Sequence, residues 1–382
     1  MQKRIILTSN YSPWSSYSGG GQRSTHHIAT ELSNLGFDVH VVFTKTWFEK
    51  VSVPKSISYK VHWSSFPGFY SKRTNLFRFL SGIFVKNIVG KLLTRDCIVH
   101  SNGEEGSFIG SLKKTNSFKF VITPRYPFIP EKSSGLTPTS LSALMNWNHS
   151  KYVMLHKALL EADIICPTSK FSKNMFRNLF ALSNKRFNVV YNGVSEDFFN
   201  ASQKKTNTNT IIFFGRLSAS KGVDTLLKAS EIAHANIDKV IIIGRGELKE
   251  FASKKATSGV LKDKIELYNW LDIPELIKQI QVSTLAVLPS REESFGNSVA
   301  EAMACGVATI TTRVGSIPEL IEKENQGILL DPENISGFAD AITSLILNPK
   351  LRQEIALNGK NRIHSTFSWK SSVQNYLAVY NS

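Results

Sequence analysis

Two glutamates eight positions apart, Glu293 and Glu301, flank Gly296 in the phrase REESFGNSVAEAMACGVATIT. A carboxylate accepts hydrogen bonds from hydroxyls, and a vicinal diol offers two at once. Between the glutamates, the amides of Ser294, Phe295, Gly296 and Asn297 can donate to phosphate or sugar oxygens. A second phrase, GRLSASKG, sets Arg216 and Lys221 on one loop. Arginine grips phosphate oxygens in pairs and lysine acts as a point charge, so fixed cations here would stabilise a dianionic leaving group. Either pair alone also fits solvated surface charge.

These residues need elements to hold them. An apolar strand, Leu285 to Leu288, precedes the first glutamate, and an alanine-rich helix ending near Cys305 and Gly306 carries the second. GRLSASKG likewise follows the strand IIFF and precedes the helical VDTLLKAS. Both loops then lie at the carboxyl edge of a parallel sheet, where open α/β sheets bind ligands. Gly244, Gly246 and Glu247 in IIIGRGEL mark another such transition. Gly19, Gly20 and Gly21 sit after the first strand and before a helix expected to carry Ile28, Leu32 and Leu35 on one face. A glycine loop there lets backbone approach a ligand, and a helix amino terminus favours an anion. His100 and Arg125 end or follow two more strands; a lone histidine in such a place also fits a purely structural role.

SGGGQRSTHHIATELSNLGFDVHVV, VVYNGVSEDFF, FFGRLSASKGVDTLL, IIIGRGEL and the glutamate phrase occur in that order along nearly the whole chain. Together they resemble the GT4 family of retaining glycosyltransferases. The resemblance implies a GT-B fold, an α/β architecture of two Rossmann-like, doubly wound domains facing a central cleft. The donor is a nucleotide-diphosphate sugar and the acceptor a glycan or lipid-linked hydroxyl. By the same resemblance Glu293 meets the transferred sugar's hydroxyls and Glu301 the ribose, while Arg216 and Lys221 hold the diphosphate with Gly19–Gly21. Gly244 faces the donor site. The base lies near Asn269, Trp270 and Leu271, where Trp270 either stacks on it or belongs to the core. Family members often carry a sugar-touching histidine where this chain has Arg125, so sugar or acceptor recognition is expected to differ. No Asp-x-Asp pair occurs, no His/Cys cluster offers a metal site, and no metal or other cofactor is expected.

A chain of 382 residues, 42% hydrophobic and 20% charged, is long enough for two cores. The runs IILTS, VHVVF, CIVH, FVIT, IICPTS and NVVYN alternate with helix-like stretches. After the polar NASQKKTNTNT the alternation restarts with IIFFG, VIIIG, IELYN, LAVLP, ATITT and GILL. The domains expected are 1–193 on the acceptor side, 194–366 on the donor side, and a terminal helix within 367–382. That helix has Trp369, Val373, Tyr376, Leu377 and Tyr380 at helical spacing, and either crosses back to the first domain or stays with the second. Three well-separated cysteines and the lack of a membrane-length apolar run suit a protein in, or facing, the cytosol.

The net charge is +16, and residues 1–200 carry +14 of it, with 25 Lys or Arg against 11 Asp or Glu. An anionic partner on the amino-terminal half follows. Residues 51–100 interleave basic and aromatic side chains, among them Lys72, Arg73 and Arg78 with Phe69, Tyr70 and Phe79. This pattern suits a peripheral position at an anionic membrane surface; the alternative is a helix pair whose phenylalanines fill the core. No nucleic-acid module signature is present. A non-catalytic nucleotide-sugar binder and a nucleotide-sugar epimerase are the competing functional readings.

Overall fold

The short β-branched runs form two parallel sheets, one in each unit of the chain. The computed structural model describes residues 3–15, 18–66, 75–125, 153–201, 204 and 208–382, with the backbone alone for 75–78. Unit 1 comprises Met1–Gly193 and Trp369–Ser382; unit 2 is Val194–Ser368.

In unit 1 the strands are β1 (Arg4–Ser9), β2 (Asp38–Thr46), β3 (Lys60–Phe66), β4 (Cys97–Ser101), β5 (Phe118–Ile122) and β6 (Ile164–Ile165). Their order is β3-β2-β1-β4-β5-β6, all parallel. Helices cover both faces, so the central strands are apolar nearly throughout. Alternate residues serve opposite cores. Ile6, Val42, Val99 and Phe120 pack with Val85 and Val89 of the helix Asn75–Leu92. Ile5, Leu7, Val41 and Ile98 pack with Ile28 and Leu32 of the helix Gly20–Asn34, and with Trp369, Val373, Tyr376 and Tyr380 of Trp369–Asn381. Leu35 departs from expectation: it caps the first helix and is 50% exposed.

Two strand readings also differ. NVVYN runs beside β6 through Asn188 N–H to Ile165 O (2.9 Å) and Val190 N–H to Pro167 O (3.0 Å). The next ladder bond would need an N–H from Pro167, which has none, so no regular strand forms. The sixth strand is instead β3, KVHWSSF, an edge strand whose mixed residues reflect its half-buried position.

Unit 2 contains β7 (Thr210–Phe214), β8 (Lys239–Ile243), β9 (Ile265–Tyr268), β10 (Leu285–Leu288), β11 (Ala308–Thr312) and β12 (Ile328–Leu330), in the order β12-β11-β10-β7-β8-β9. Read from β9, this is the topology of unit 1. In each sheet the strand order reverses beside the first strand, between β1 and β4 and between β7 and β10. Ligand crevices of doubly wound sheets open at that point. No described helix is long and apolar enough to cross a membrane.

Candidate active site

Three loops converge at the carboxyl edge of the unit 2 sheet, and hydrogen bonds between their backbones fix them. The β7 loop meets the β8 loop through Gly215 N–H to Ile243 O (3.0 Å) and Leu217 N–H to Arg245 O (2.8 Å). It meets the β10 loop through Arg291 N–H to Ser220 O (2.8 Å). Two glycines make such closeness possible. Gly222 has φ +69°, and a Cβ there would lie 1.9 Å from the Pro289 carbonyl oxygen. Gly315 has φ +55°, and its Cβ would lie 1.9 Å from the Glu293 carbonyl oxygen. No other residue fits either position without moving the chain that carries Lys221 or Glu293.

Lys221 and Glu293 are brought together, with Nζ 2.6 Å from Oε1. The Ser290 hydroxyl donates to the same oxygen at 2.9 Å. Glu293 Oε2 has no hydrogen-bond partner among the described residues, and the carboxyl side chain is 11% exposed. The carboxylate is thus held by one oxygen and open at the other, as an acceptor for a ligand hydroxyl must be. Lys221 keeps two of its three donors for an anion. Arg216 is exposed on the same loop and forms no ion pair among the described residues.

After Glu293 the chain turns at Gly296, the N-cap of the helix Asn297–Ala304. Phe295 drives its ring into unit 2, 5.8 Å from that of Phe367, and so anchors the turn. The first amides of this helix have no acceptor inside it, which is the usual anion-binding arrangement. Ser294 and Asn297 are half-buried on either side. Glu301 lies a full turn inside the helix, outside the first turn. A role as a carboxylate capping the helix dipole does not account for it, and its half-buried position keeps it accessible.

Gly244 donates to Tyr268 O at 2.8 Å, and its absent Cβ would lie 1.8 Å from Gly215 O. Glu247 accepts the Ala219 N–H at 3.2 Å, closing the loop ahead of Lys221. Trp270, after β9, is 68% exposed, so the core alternative is excluded; Leu271 beside it is half-buried.

Sequence reasoning passed over Arg291. Its guanidinium holds Asp224 through both carboxylate oxygens (2.8 and 2.9 Å), Ala219 O (2.6 Å), Thr225 Oγ1 (3.1 Å) and Glu333 Oε1 (2.6 Å). Burial works to raise the Asp224 carboxyl, but the Arg291 hydrogen bonds outweigh it and hold the group below its usual range. The arginine that opens REES carried no signal in the sequence, because its partners are 67 and 42 positions away.

In unit 1, Gly19 is the N-cap of the first helix and Gly20 and Gly21 are its opening residues; Gln22 reaches back to accept the Gly19 N–H at 3.0 Å. Arg125 stands three residues beyond β5, bonded to Asn102 Oδ1 (2.8 Å) and Asn192 Oδ1 (3.2 Å). His100 does not reach a ligand surface. It is fully buried, its ring nitrogens 2.6 Å from the Tyr380 hydroxyl and 2.8 Å from Thr123 Oγ1. Burial holds its pKa down at about 3, so it is a neutral core residue joining β4 to the terminal helix. Among the described residues no three His, Cys, Asp or Glu side chains gather as a metal site would require.

Residues 18–198 match the family model described as Glycosyltransferase Family 4, and residues 194–362 match Glycosyl transferases group 1. An uncharacterized glycosyltransferase of Methanocaldococcus jannaschii is 31% identical over 240 residues, which are 62% of this chain and 64% of that protein. The match thus spans just under two thirds of that relative's length. Among solved structures, sucrose-phosphate synthase from Thermosynechococcus elongatus superposes with a TM-score of 0.81 at 17% identity, covering 100% of this chain and 98% of that one. Anabaena HepE, solved in complex with UDP and glucose, superposes at 0.75 with 17% identity over 100% of both chains. At such identities the likeness shows the GT-B fold. With the two models together taking in residues 18–362, the chain belongs to the group 1, family 4 glycosyltransferases.

Proposed function

We propose that the protein is a retaining glycosyltransferase that moves a hexose from a UDP- or GDP-sugar to a hydroxyl of a glycan or lipid-linked acceptor in cell-surface polysaccharide or glycolipid assembly. The observation that carries this reading is the Lys221–Glu293 pair, 2.6 Å apart at the switch point of the unit 2 sheet, with one carboxylate oxygen open and a helix amino terminus beginning three residues later. In this reading Glu293 accepts from the hydroxyls of the transferred sugar. Lys221, Arg216 and the amides around Gly296 take up the charge on the diphosphate as the bond from the anomeric carbon to its oxygen breaks. The acceptor hydroxyl attacks from the same face, and its proton passes to the departing phosphate. Glu301 accepts from the ribose, and Trp270 lies over the base beside Leu271. Gly19–Gly21 and Gly244 leave room for the phosphates, and protein cations fill the role that a metal has elsewhere.

Unit 1 is the acceptor side, and its surroundings are an anionic membrane surface at the cytosolic face. Trp47 and Phe48 support this. They are 64% and 66% exposed, and the Trp47 N–H bonds to the carbonyl of Phe66, where the basic and aromatic stretch begins. Lys72, Arg73, Phe69 and Tyr70 lie outside the described residues, as do the side chains of Phe77 and Arg78. The helix Asn75–Leu92 puts Val85 and Val89 into the core and leaves Phe79 47% exposed.

Incubating the protein with labelled UDP-, GDP- and ADP-sugars and scoring slow hydrolysis tests the reading. Glu293→Gln and Lys221→Ala should each lower turnover on the order of a hundredfold while the melting curve stays cooperative. Near-normal turnover in both variants refutes the donor site.

A further inference from the structure

The turn after β8 bears one long side chain where its neighbours can bear none. A Cβ on Gly244 would lie 1.8 Å from Gly215 O, and one on Gly246 would lie 2.2 Å from Leu217 O, so between them only Arg245 carries a side chain out of the turn. Backbone bonds hold the turn from both sides. Toward β7, the Leu217 N–H donates to Arg245 O at 2.8 Å and the Leu248 N–H to Leu217 O at 2.9 Å; toward β9, the Gly244 N–H donates to Tyr268 O at 2.8 Å. Arg245 itself is exposed, and among the described residues its guanidinium has no hydrogen bond and no ion pair. The acids of the adjoining loops and strand are engaged elsewhere. Glu247 accepts the Ala219 N–H (3.2 Å), and Glu266 accepts from Lys239 (2.6 Å) and from the Tyr268 hydroxyl (3.1 Å). Asp272 caps the helix Ile273–Gln281 through the Glu275 N–H (2.9 Å). The fold thus fixes the backbone of this arginine and leaves its donors open.

Strand order decides which part of a ligand Arg245 meets. Arg216 and Lys221 follow β7, Arg245 follows β8 and Trp270 follows β9, and these strands are neighbours in that order. At about 4.8 Å per strand, about 10 Å separates the loop of the phosphate cations from that of the indole, with Arg245 between them. Trp270 is 68% exposed and, among the described residues, stacks on no other ring. A nucleotide whose diphosphate lies at Lys221 brings its base to a flat aromatic face with a guanidinium beside it.

We propose that Arg245 reads the edge of the base and, with Trp270, selects guanine, so that the donor is a GDP-sugar. This rests on the reading of unit 2 as the donor side, and it narrows two candidate nucleotides to one. A guanidinium only donates, so it favours an edge made of acceptors. Guanine presents O6 and N7 side by side, and the arginine fork meets both. Adenine sets its N6 amine beside N7, which turns a donor toward a donor. Uracil offers O4 next to the N3–H and leaves half of the fork unmet. A purine also covers more of the indole than a pyrimidine does.

Calorimetric titration of the full-length protein with GDP, UDP and ADP tests this. GDP should bind about ten- to a hundredfold more tightly than either of the others. Inosine diphosphate keeps O6 and N7 without the N2 amine and should bind as GDP does. The deaza analogue of GDP that lacks N7 should bind about tenfold more weakly. Arg245→Gln should lose the preference for GDP and gain affinity for ADP, because a carboxamide pairs with N6 and N7 of adenine, while UDP binding and the melting curve stay unchanged. Equal affinity for GDP and UDP, full affinity for the analogue without N7, or weak binding of inosine diphosphate overturns the proposal. An equal loss of all three nucleotides in Arg245→Gln assigns the arginine to the diphosphate and overturns it as well. If no nucleotide binds the wild-type protein, the donor-site reading falls together with this one, whereas binding without a preference among bases refutes the guanine assignment alone.

Discussion

Replacing Arg291 should loosen the donor loops before it unfolds the unit. The guanidinium ties the β10 loop to Ala219 O, Asp224 and Thr225, and the neighbouring Arg291 N–H ties it to Ser220 O. Lys221 is the next residue on that loop, and Glu293 lies two residues beyond Arg291. Arg291→Ala removes the forked bond to Asp224 and leaves that carboxylate, 22% exposed, without its partner. Hydrogen bonds to charged groups contribute roughly 1.5–3 kcal/mol each when shielded, and surface pairs far less. With the arginine 25% exposed and the Glu333 arm largely in solvent, we expect a loss of about 2–4 kcal/mol in urea unfolding. The larger effect is on geometry. A displacement of about 1 Å between Lys221 and Glu293 should lower the turnover of donor hydrolysis ten- to a hundredfold at saturating donor. Arg291→Lys supplies a charge without the fork and should recover part of the stability but little of the turnover. Wild-type turnover in an Arg291→Ala variant that is measurably less stable would show that the clamp supports the fold and does not set the site.

Burial pushes the Glu105 carboxyl up to about 7 from the ordinary 4.5, so the folded state binds this proton more tightly than the unfolded chain. Its contribution is fully present below about 4.5 and is lost as pH rises to 7, about 3 kcal/mol in all; Glu105→Gln should flatten the dependence of the urea midpoint between pH 5 and 8, and equal slopes would contradict the assignment. If Lys221 and Arg216 supply the charge for the leaving group, as proposed, excess EDTA should change the rate of transfer little; a collapse restored by magnesium or manganese would show that a metal takes part. Liposome flotation should require anionic lipid, weaken with salt, and fall when Lys72, Arg73 and Arg78 are changed to Glu, and equal recovery on neutral vesicles would remove the membrane from the account.

The sequence carried most of the architecture because parallel strands buried on both faces read as unbroken apolar runs. Ile211–Phe214 and Leu285–Leu288 are such cases, all buried. Where one face is exposed, as in β3, or where a single proline stops a ladder, as beside Asn188–Val190, hydropathy alone misplaces the strand. The glutamate phrase could be read as one unit because both carboxylates and the turn between them lie on one stretch of chain. Arg291 could not, because its meaning lies in carboxylates brought to it by the helix after β7 and by the loop after β12.

The terminal helix ties the last residues of the chain to the first strand. Trp369, Val373, Tyr376 and Tyr380 complete the core around Ile5, Leu7 and Ile98, with the whole of unit 2 intervening in sequence. In topological terms unit 2 is an insertion in unit 1. It is continuous and can close its core as soon as it has been synthesised, whereas the first sheet waits for contacts of very high sequence separation. The first half of a nascent chain therefore leaves the ribosome with one face of its sheet uncovered, and the protein is at its most aggregation-prone until the final helix arrives. Loss of Trp369–Ser382 would do more harm to the first unit of this molecule than to the second.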